Sequence, residues 1–470
     1  MLTYDVDVWS IRKRPDRAKP YQVRWRVGPN TFGKSFKLSA QADGRRSELL
    51  AALRAREPFD AETGLPESEL QALNASPTPT WFDHTQDYAA MKWPNASAKH
   101  RASIADALAT VTPHLVRDNH GAPSRTTLRS ALYSWSFRLV LGGDGTLRHR
   151  YEVQEPPTDI AAALAWIRRK SVDITDLNTA SVVRTALDAL KVRQDGTAAA
   201  ENTVKRKHTV FSNCLRYAVE RELLTTLPLN KVDWTPPETD DEIDFRFVPG
   251  PKLANALITA AGAQRTRGRH LKAFFGCLYY AANRPGEASS LRKSDFTLPE
   301  EGWGEVLLST STPRVGSGWT DTGESFDTRG LKKRARKTTR PVPIPPVLVR
   351  MVREHIAEFG TAEDGRLFHA VQGGHLLSKE YGEVWKAARE AVLTEAEAAS
   401  PLAEVPYCLR HAGVSLWLQS GVSPAEVARR AGHSVAVLFR FYAKVLHGLQ
   451  QEANEKIERA LTKAAEAPAE

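Results

Sequence analysis

Cysteine is scarce in this sequence. Its 470 residues include three cysteines, Cys214, Cys277 and Cys408, and each stands alone in its own apolar segment. None has a second cysteine at the spacing of a zinc site or of a disulfide framework. We therefore expect three reduced packing residues and no metal site.

Long apolar runs and a secretion signal are also absent. No stretch approaches the ~18 apolar residues that a membrane helix needs. The first residues, MLTYDVDVWSIRKRPDR, contain no apolar core followed by a small-residue cleavage site. These absences predict that the protein does not span a membrane and that it is cytoplasmic.

Motifs of nucleotide- and metal-dependent enzymes are missing as well. The sequence has no GxxxxGK(S/T) loop, no acidic cluster with two-metal spacing and no His/Cys ligand set. Nucleases that use two metal ions are therefore disfavoured, and no cofactor is expected. Repeat architectures are set aside because no fixed period occurs.

Positive charge, by contrast, is in excess. The chain has 65 Lys and Arg against 55 Asp and Glu, a formal net charge of +10. This balance favours a polyanionic partner, either nucleic acid or an acidic membrane surface. Residues 1–57 alone hold thirteen Lys or Arg against six Asp or Glu. Most of the surplus therefore belongs to a short N-terminal region.

The length suggests about three domains at ~100–200 residues each. A Pro- and Ser-containing break at 74–80 and an acidic, Pro-rich stretch at 232–245 divide the chain. We expect a multidomain α+β protein. Its predicted parts are a three-stranded β unit with a helix at 1–72, a helical domain at 80–232, and a mixed, mainly α domain with a small β-sheet at 245–462.

The N-terminal unit is predicted from three β-like runs, TYDVDVWSI, YQVRWRV and TFGKSFKL, separated by turn-prone segments. In the second run Arg24 and Arg26 alternate with three apolar residues and face the other side of the sheet. This basic face predicts contact with a nucleic-acid groove. A merely solvated sheet face is the alternative.

A second basic surface is predicted on the helix ENTVKRKHTVFSNCLRYAVERELL (201–224). Its apolar residues recur at helical spacing, while Lys205, Arg206 and Lys207 lie largely elsewhere. Such a helix can pack inward and face phosphates at the same time. A charge run of this kind is more often only a solvated face, and that reading stays open.

Two segments carry the residues of a possible reaction. The apolar helix before Arg284 breaks at Pro285 and Gly286, which places that arginine at a helix end, where Glu287 could hold it. Alone, this turn equally describes a surface arginine. The second segment, YCLRHAGVSLWLQSGVSPAEVARRAGHSVAVLFRFYAKV (407–445), adds Arg410, His433 and Tyr442.

Together these motifs resemble the tyrosine recombinase family of phage integrases. Its signature is an Arg in an Arg-Pro-Gly-Glu-like turn, a Lys on a β-hairpin, His-x-x-Arg, Gly-His, and a Tyr nine residues after that second His. Here Arg284, Arg410, Gly432-His433 and Tyr442 match. The likeness covers about 245–450, and the basic N-terminal unit followed by a helical domain is similar to arm-binding integrases of phages and actinobacterial elements.

Two positions of the family signature are altered or ambiguous in this sequence. Tyr407 stands where the family has the first His of His-x-x-Arg, as in integrases of actinobacterial elements, and its phenol does not titrate near neutral pH. The hairpin lysine is ambiguous in RGLKKRARKTTRPVPIPP: we select Lys332, with Lys333 and Lys337 as alternatives. The remaining cations of that run, Lys333 and Arg334 among them, would grip phosphates.

The resemblance implies a site-specific recombinase that integrates or excises a phage genome or mobile element without ATP or metal. Tyr442 would attack the phosphodiester to form a 3′-phosphotyrosyl bond, Arg284 and Arg410 would clamp the phosphorane, and Lys332 would protonate the leaving 5′-hydroxyl. Tyr407 and His433 would complete the site. Partners would be double-stranded attachment-site DNA, three further copies in a homotetramer, and an excision factor or DNA-bending host protein, in a nucleoid-associated setting.

Other functions remain open. The Tyr407 substitution would also suit a catalytically silent DNA-binding regulator with the same fold. Chromosome-dimer resolution or type I topoisomerase activity are further alternatives, which the extra basic N-terminal unit disfavours. His411 and His447 are left out of the predicted site, since a lone histidine is more often a packing or surface residue.

Overall fold

The computed structural model describes residues 1–74, 78–238, 244–330, 339–447, 454–459 and 461–462. In this part of the chain, buried apolar side chains form three separate clusters, which span residues 23–59, 81–232 and 254–442. The second cluster also takes in Trp319. The expected fold class, helix-rich α+β with small sheets, is confirmed, and 53% of the structure is helical.

The N-terminal part is a sheet covered by one helix. Strand β4 is central: β5 pairs along one edge, and β2 and β3 share the other. Strand β2 lies in the first predicted run, whereas β3 lies in the segment that was predicted to be a turn. Val23, Trp25 and Val27 are buried beneath α1, while Arg24 and Arg26 face away. The elements are β1 (Leu2–Thr3), β2 (Val6–Val8), β3 (Arg12–Lys13), β4 (Tyr21–Val27), β5 (Asn30–Phe36), α1 (Ser39–Arg54), β6 (Phe59–Asp60) and α2 (Glu67–Asn74).

The middle part is mostly helical, as expected, with a hairpin that the sequence analysis did not anticipate around Gly142–Gly145. Its last long helix buries Val204, Phe211 and Leu215 on one face. The elements are α3 (Trp81–Lys92), α4 (Ala98–Val111), α5 (Arg125–Ser130), β7 (Leu139–Leu141), β8 (Leu147–His149), α6 (Arg150–Val153), α7 (Thr158–Lys170), α8 (Ala180–Ala189) and α9 (Glu201–Glu220).

The last part packs helices around a buried central helix, α11. The small β-sheet expected here is three-stranded and antiparallel, in the order β13-β10-β9, and β11 and β12 form a separate pair. The elements are α10 (Pro251–Ala263), α11 (Arg265–Tyr280), α12 (Pro285–Ala288), β9 (Phe296–Thr297), β10 (Gly304–Leu308), β11 (Thr310–Ser311), β12 (Arg329–Gly330), β13 (Arg340–Ile344), α13 (Pro346–Phe359), α14 (Ser378–Val392), α15 (Glu395–Ala399), α16 (Cys408–Gln419), α17 (Pro424–Ala431) and α18 (Val435–His447).

A loop between β11 and β12 joins the last part to the middle one. Trp319 is buried there against Trp93 and Tyr133, with ring centroids 5.8 and 4.9 Å away. Arg101 donates to the Trp319 carbonyl at 3.0 Å and to Asp321 at 2.6 Å. Because the contact combines apolar packing with an ion pair, it fixes this loop to the middle helices.

Within the described ranges, no helix is long and apolar enough to cross a membrane. Cys214, Cys277 and Cys408 are buried and free, which agrees with the packing role expected for them. The bounds of the three predicted domains stay predictions. The breaks near 74–80 and 232–245 both fall partly outside the described residues.

Candidate active site

The site is organised around a buried carboxylate, Glu287, which is 2% exposed. Arg284 caps the start of α12 and donates to Glu287 through its backbone N–H at 2.9 Å and through Nη1 at 2.7 Å. Arg340, at the start of β13, donates through Nη2 at 2.9 Å. Nη1 of Arg410 lies 4.0 Å away. Three guanidiniums therefore surround one carboxylate, which leaves positive charge in excess.

This arrangement keeps Glu287 ionised despite its burial. Burial alone would raise its pKa, but Arg340, Arg410 and Arg284 outweigh that effect and lower the pKa to about 2. The carboxylate is therefore charged at every physiological pH. It fixes the three arginines relative to one another.

Arg410 is held from two further sides. It is fully buried on α16, where Nη1 donates to the carbonyl of Ala282, just after α11. Nη2 donates to the carbonyl of Ala431, at the end of α17, at 2.6 Å, and to Nε2 of His433 at 2.9 Å. Its Nε has no partner among the described residues. Arg410 thus ties three helices together and retains one unused donor.

The Gly-His motif closes the cluster from the α17 side. Gly432 ends α17 in a left-handed conformation, with φ 65°, and a Cβ there would lie 2.2 Å from Nη1 of Arg340. Its carbonyl accepts from Nη2 of Arg284 at 3.3 Å. Glycine is therefore required here both by conformation and by space. The turn delivers the next residue, His433, to Arg410.

His433 is a neutral imidazole with one free nitrogen. Burial, and then the charges of Arg410 and Arg284, lower its pKa to about 3. Since Nε2 accepts from Arg410, the proton is assigned to Nδ1, which is buried without a partner among the described residues. That N–H is a second unused donor in the cluster.

Tyr442 lies on α18 and is 1% exposed. The helix is interrupted at this residue, with φ −121° and ψ 20°. Burial raises the pKa of its phenol well above the ordinary value, and Arg410 only partly opposes the shift. Its Oη lies 3.0 Å from Nδ1 of His411, and its ring centroid is 6.4 Å from that of His433. The phenol is therefore protonated and already in contact with an imidazole.

Tyr407 precedes α16, one turn before His411. The two rings meet edge to face with centroids 5.0 Å apart, and the Tyr407 hydroxyl interacts with Arg284. Burial, and then Arg410, lower the pKa of His411 to about 4. The structure thus joins Tyr407 to the arginine cluster and His411 to Tyr442.

Five of the predicted catalytic residues come together in this cluster: Arg284, Tyr407, Arg410, His433 and Tyr442. Lys332, Lys333, Arg334 and Lys337 lie outside the described residues, so their predicted roles stay predictions. Sequence reasoning missed Arg340 and His411. The alternation of RPVPI, in which Arg340, Val342 and Ile344 are all buried, was the available signal for Arg340.

The predicted DNA-contacting residues of the N-terminal sheet differ in their surroundings. Arg24 lies over the ring of Trp9, 5.1 Å from its centroid. Arg26 is bound by Asp5 at 2.8 Å and by Asp7 at 2.6 Å. The charge of Arg26 is therefore already balanced by carboxylates, whereas Arg24 has an aromatic neighbour.

Two basic residues of α9 lie beside Asp106 on α4. Arg206 lies 3.1 Å and Lys207 3.4 Å from this carboxylate, and Arg129 of α5 lies 2.5 Å from it. Lys205 is exposed on the same helix. Here too, three cations share one carboxylate. Across the described residues, no group of three or more His, Cys, Asp or Glu is placed to hold a metal ion.

Several solved structures resemble the chain. An integrase of the Tn1549 transposon in complex with transposon right end DNA is 15% identical, with 66% of this chain and 96% of that chain covered and a TM-score of 0.47. A lambda integrase tetramer bound to a Holliday junction is 12% identical, with 90% and 95% covered and a TM-score of 0.44. The XerH site-specific recombinase bound to its difH substrate is 12% identical, with 75% and 94% covered and a TM-score of 0.42.

All three are tyrosine recombinases, the family whose motifs the sequence resembles. At these identities and TM-scores, the likeness carries no argument about this chain. No protein-family model and no curated protein matches the sequence. The case for a particular chemistry therefore rests on the side chains of this chain.

Proposed function

We propose that this chain is a tyrosine recombinase, a site-specific integrase that cuts and rejoins DNA strands through Tyr442. One observation carries the proposal. The buried phenol of Tyr442 lies beside His433 and within the field of Arg410 and Arg284, in a cluster where guanidiniums outnumber carboxylates. A buried tyrosine next to an excess of fixed positive charge suits attack on a phosphodiester anion.

The charge excess matches the needs of the transition state. During attack on phosphorus the non-bridging oxygens gain charge, and pre-positioned arginines stabilise them without further reorganisation. Nε of Arg410 and Nδ1 of His433 are buried donors without a partner among the described residues. We assign these two donors to the non-bridging oxygens, together with the partly exposed guanidinium of Arg284.

The reaction is a transesterification. Oη of Tyr442 bonds to phosphorus, the bond to the 5′-oxygen breaks, and a 3′-phosphotyrosyl link remains. The 5′-hydroxyl of a partner strand then attacks that link and restores the backbone. Because the phosphodiester energy is conserved, the residues need no nucleotide cofactor. Tyr407, which contacts Arg284, is assigned a hydrogen-bonding role.

The 5′-oxygen requires a proton as it leaves, and a lysine can donate it as a general acid. We assign Lys332, with Lys333 and Lys337 as alternatives. The support is local: Arg340, which follows this basic segment, belongs to the buried cluster. Arg334 and the lysines that do not act as the acid would grip the phosphates on either side of the cut.

Double-stranded DNA is the proposed partner, and four copies of the chain would assemble on two attachment sites to integrate or excise a phage genome or mobile element. Lys205, Arg206 and Lys207 would hold the duplex from the helical side. Arg24 and Arg26 would contact accessory arm sites. Deleting residues 1–57 tests the arm proposal, because the slope of log K against log salt should flatten; an unchanged slope would remove it.

The test of the function uses nicked duplexes from the DNA beside the gene. They trap a covalent intermediate because the 5′-hydroxyl fragment diffuses away. Wild type should form an adduct that resists denaturation, and Tyr442→Phe should bind the same duplexes without forming it. Specific binding by wild type without any adduct would favour the catalytically silent DNA-binding regulator. An adduct with Tyr442→Phe would show that another residue is the nucleophile.

A further inference from the structure

We propose that His411 is the general base that takes the phenolic proton of Tyr442 during strand cleavage. This inference deepens the proposed function and rests on it. The observation behind it is direct contact: Nδ1 of His411 lies 3.0 Å from Oη of Tyr442. That is hydrogen-bonding distance to the atom that would attack phosphorus.

The phenol needs such a partner. It is buried, and burial disfavours the phenolate. A proton released at Oη has no direct route to bulk water, so a group in contact must accept it. Attack by the neutral phenol without an acceptor would leave a positively charged oxygen beside two arginines. A neighbouring neutral imidazole removes that problem.

The other groups around Tyr442 are less suited to this task. Nε2 of His433 is occupied by Arg410, and its Nδ1 carries the proton in that arrangement. The carboxylate of Glu287 is held by arginines. Tyr407 has a phenol of its own, at the position where the family has a histidine. His411, one helical turn after Tyr407, is the imidazole in contact with Oη.

Binding of the scissile phosphate would change the electrostatic field at His411 and make this residue more basic. Its low pKa follows first from burial and then from the charge of Arg410. It is therefore neutral before DNA binds, and we assign its proton to Nε2, so that Nδ1 has a lone pair that accepts from the phenol of Tyr442. A bound phosphodiester brings a negative charge next to Arg410 and offsets that repulsion. The basicity of His411 should thus rise when the scissile phosphate is in place.

The step balances in both directions. In cleavage, the proton of Oη moves to Nδ1 of His411, the bond from Oη to phosphorus forms, and the bond from phosphorus to the 5′-oxygen breaks as that oxygen takes a proton from the general acid. In rejoining, the 5′-hydroxyl oxygen bonds to phosphorus and returns its proton to the general acid, the bond from Oη to phosphorus breaks, and Nδ1 returns the proton to Oη. His411 ends unchanged and needs no co-reactant.

The test compares His411→Asn with wild type. Asparagine keeps a polar group near the place of Nδ1 but cannot accept the proton. Single-turnover cleavage of the nicked duplex should fall by about 10²–10⁴-fold, with DNA affinity unchanged. The wild-type rate should decline at acid pH as His411 becomes protonated, and His411→Asn should lose that decline. His369→Asn, a histidine of the same domain outside the cluster, is the matched control and should cleave like wild type.

A second substrate separates the base from the acid. Sulfur in place of the bridging 5′-oxygen leaves without a proton, so it should rescue a defect in the general acid but not one in His411. If His411→Asn cleaves the normal duplex within a few-fold of wild type, or if the sulfur substrate restores its rate, the proposal is overturned. Absence of any adduct with wild type would instead remove the proposed function, and this inference with it.

Discussion

Two carboxylates in this protein each gather three cations, and they differ in burial. Glu287 is 2% exposed, and the side chain of Asp106 is 22% exposed. The first joins α12, β13 and α16, and the second joins α4, α5 and α9. The cations are Arg284, Arg340 and Arg410 around Glu287, and Arg129, Arg206 and Lys207 around Asp106.

Burial decides what each cluster can do. Around Glu287, water cannot replace a lost partner, so the charges stay where the fold puts them, as transition-state stabilisation requires. Around Asp106, water and salt screen the attraction, and an arriving phosphate can compete with the carboxylate. The buried cluster therefore suits chemistry, and the half-buried one suits an exchangeable grip on DNA.

Removing each carboxylate tests this contrast most strongly. Glu287→Gln leaves three buried guanidiniums without their counter-ion and should lower the free energy of unfolding by about 3–5 kcal/mol. Asp106→Asn should lower it by less than about 1 kcal/mol, because its ion pairs are partly exposed. Urea denaturation followed by tryptophan fluorescence measures both. Equal losses would show that burial does not separate the clusters.

The close contact between Gly432 and Arg340 should be the feature next most sensitive to substitution. Gly432→Ala must displace Arg340, and an ångström-scale shift in the cluster can slow cleavage about 10²-fold. Gly373→Ala is the matched control, since Gly373 also has a positive φ, 79°, but open space around a Cβ. Both variants carry the conformational strain, about 1–2 kcal/mol. If they cleave DNA at the same rate, contact with Arg340 is not what Gly432 provides.

As the pH falls, the buried cluster around Glu287 should be destabilised before the cluster around Asp106. The pKa of His433 is lowered from 6.5 to about 3 in the folded chain. The contribution of neutral His433 to the free energy of unfolding is fully present above pH 6.5. It is lost as the pH falls towards 3, by about 1.4 kcal/mol per pH unit. Asp106, whose pKa is lowered although burial opposes the shift, stays ionised over most of this range. Urea denaturation at several pH values should show that the free energy of unfolding falls less steeply with acid in His433→Asn than in wild type. An equal dependence on pH in the two proteins would contradict the lowered pKa of His433.

The sequence predicted the residues that have a fixed order and missed those that depend on contact across the fold. Arg284, Arg410, His433 and Tyr442 were found by motif, although Arg284 is far from the other three in the chain. Arg340 is the last cation of a basic run. The alternation of RPVPI places it on the buried face of β13, but its pairing with Glu287 depends on the fold. His411 follows Arg410 directly, and nothing in its spacing predicts contact with Tyr442 on another helix.

Charge patterning was informative about faces but not about partners. The alternation in β4 correctly separated Val23, Trp25 and Val27 from the two arginines. Asp7, however, lies directly opposite Arg26 on β2, and this cross-strand pair depends on a register that composition does not reveal. Likewise, Arg206 and Lys207 meet Asp106 only after α9 packs on α4.

The smallest expected effect is on the salt dependence of DNA binding. It is tested by comparing Arg206 with Arg26. Arg206→Gln should weaken binding similarly for all sequences and reduce the slope of log K against log salt by about 0.9, the value for one phosphate contact. Arg26→Gln should change the slope less, because Asp5 and Asp7 already neutralise Arg26. Salt titrations of duplex binding by Tyr442→Phe, which excludes cleavage, measure both slopes. A larger change for Arg26→Gln would mean that DNA displaces both carboxylates, and the N-terminal sheet would then be a stronger phosphate contact than α9.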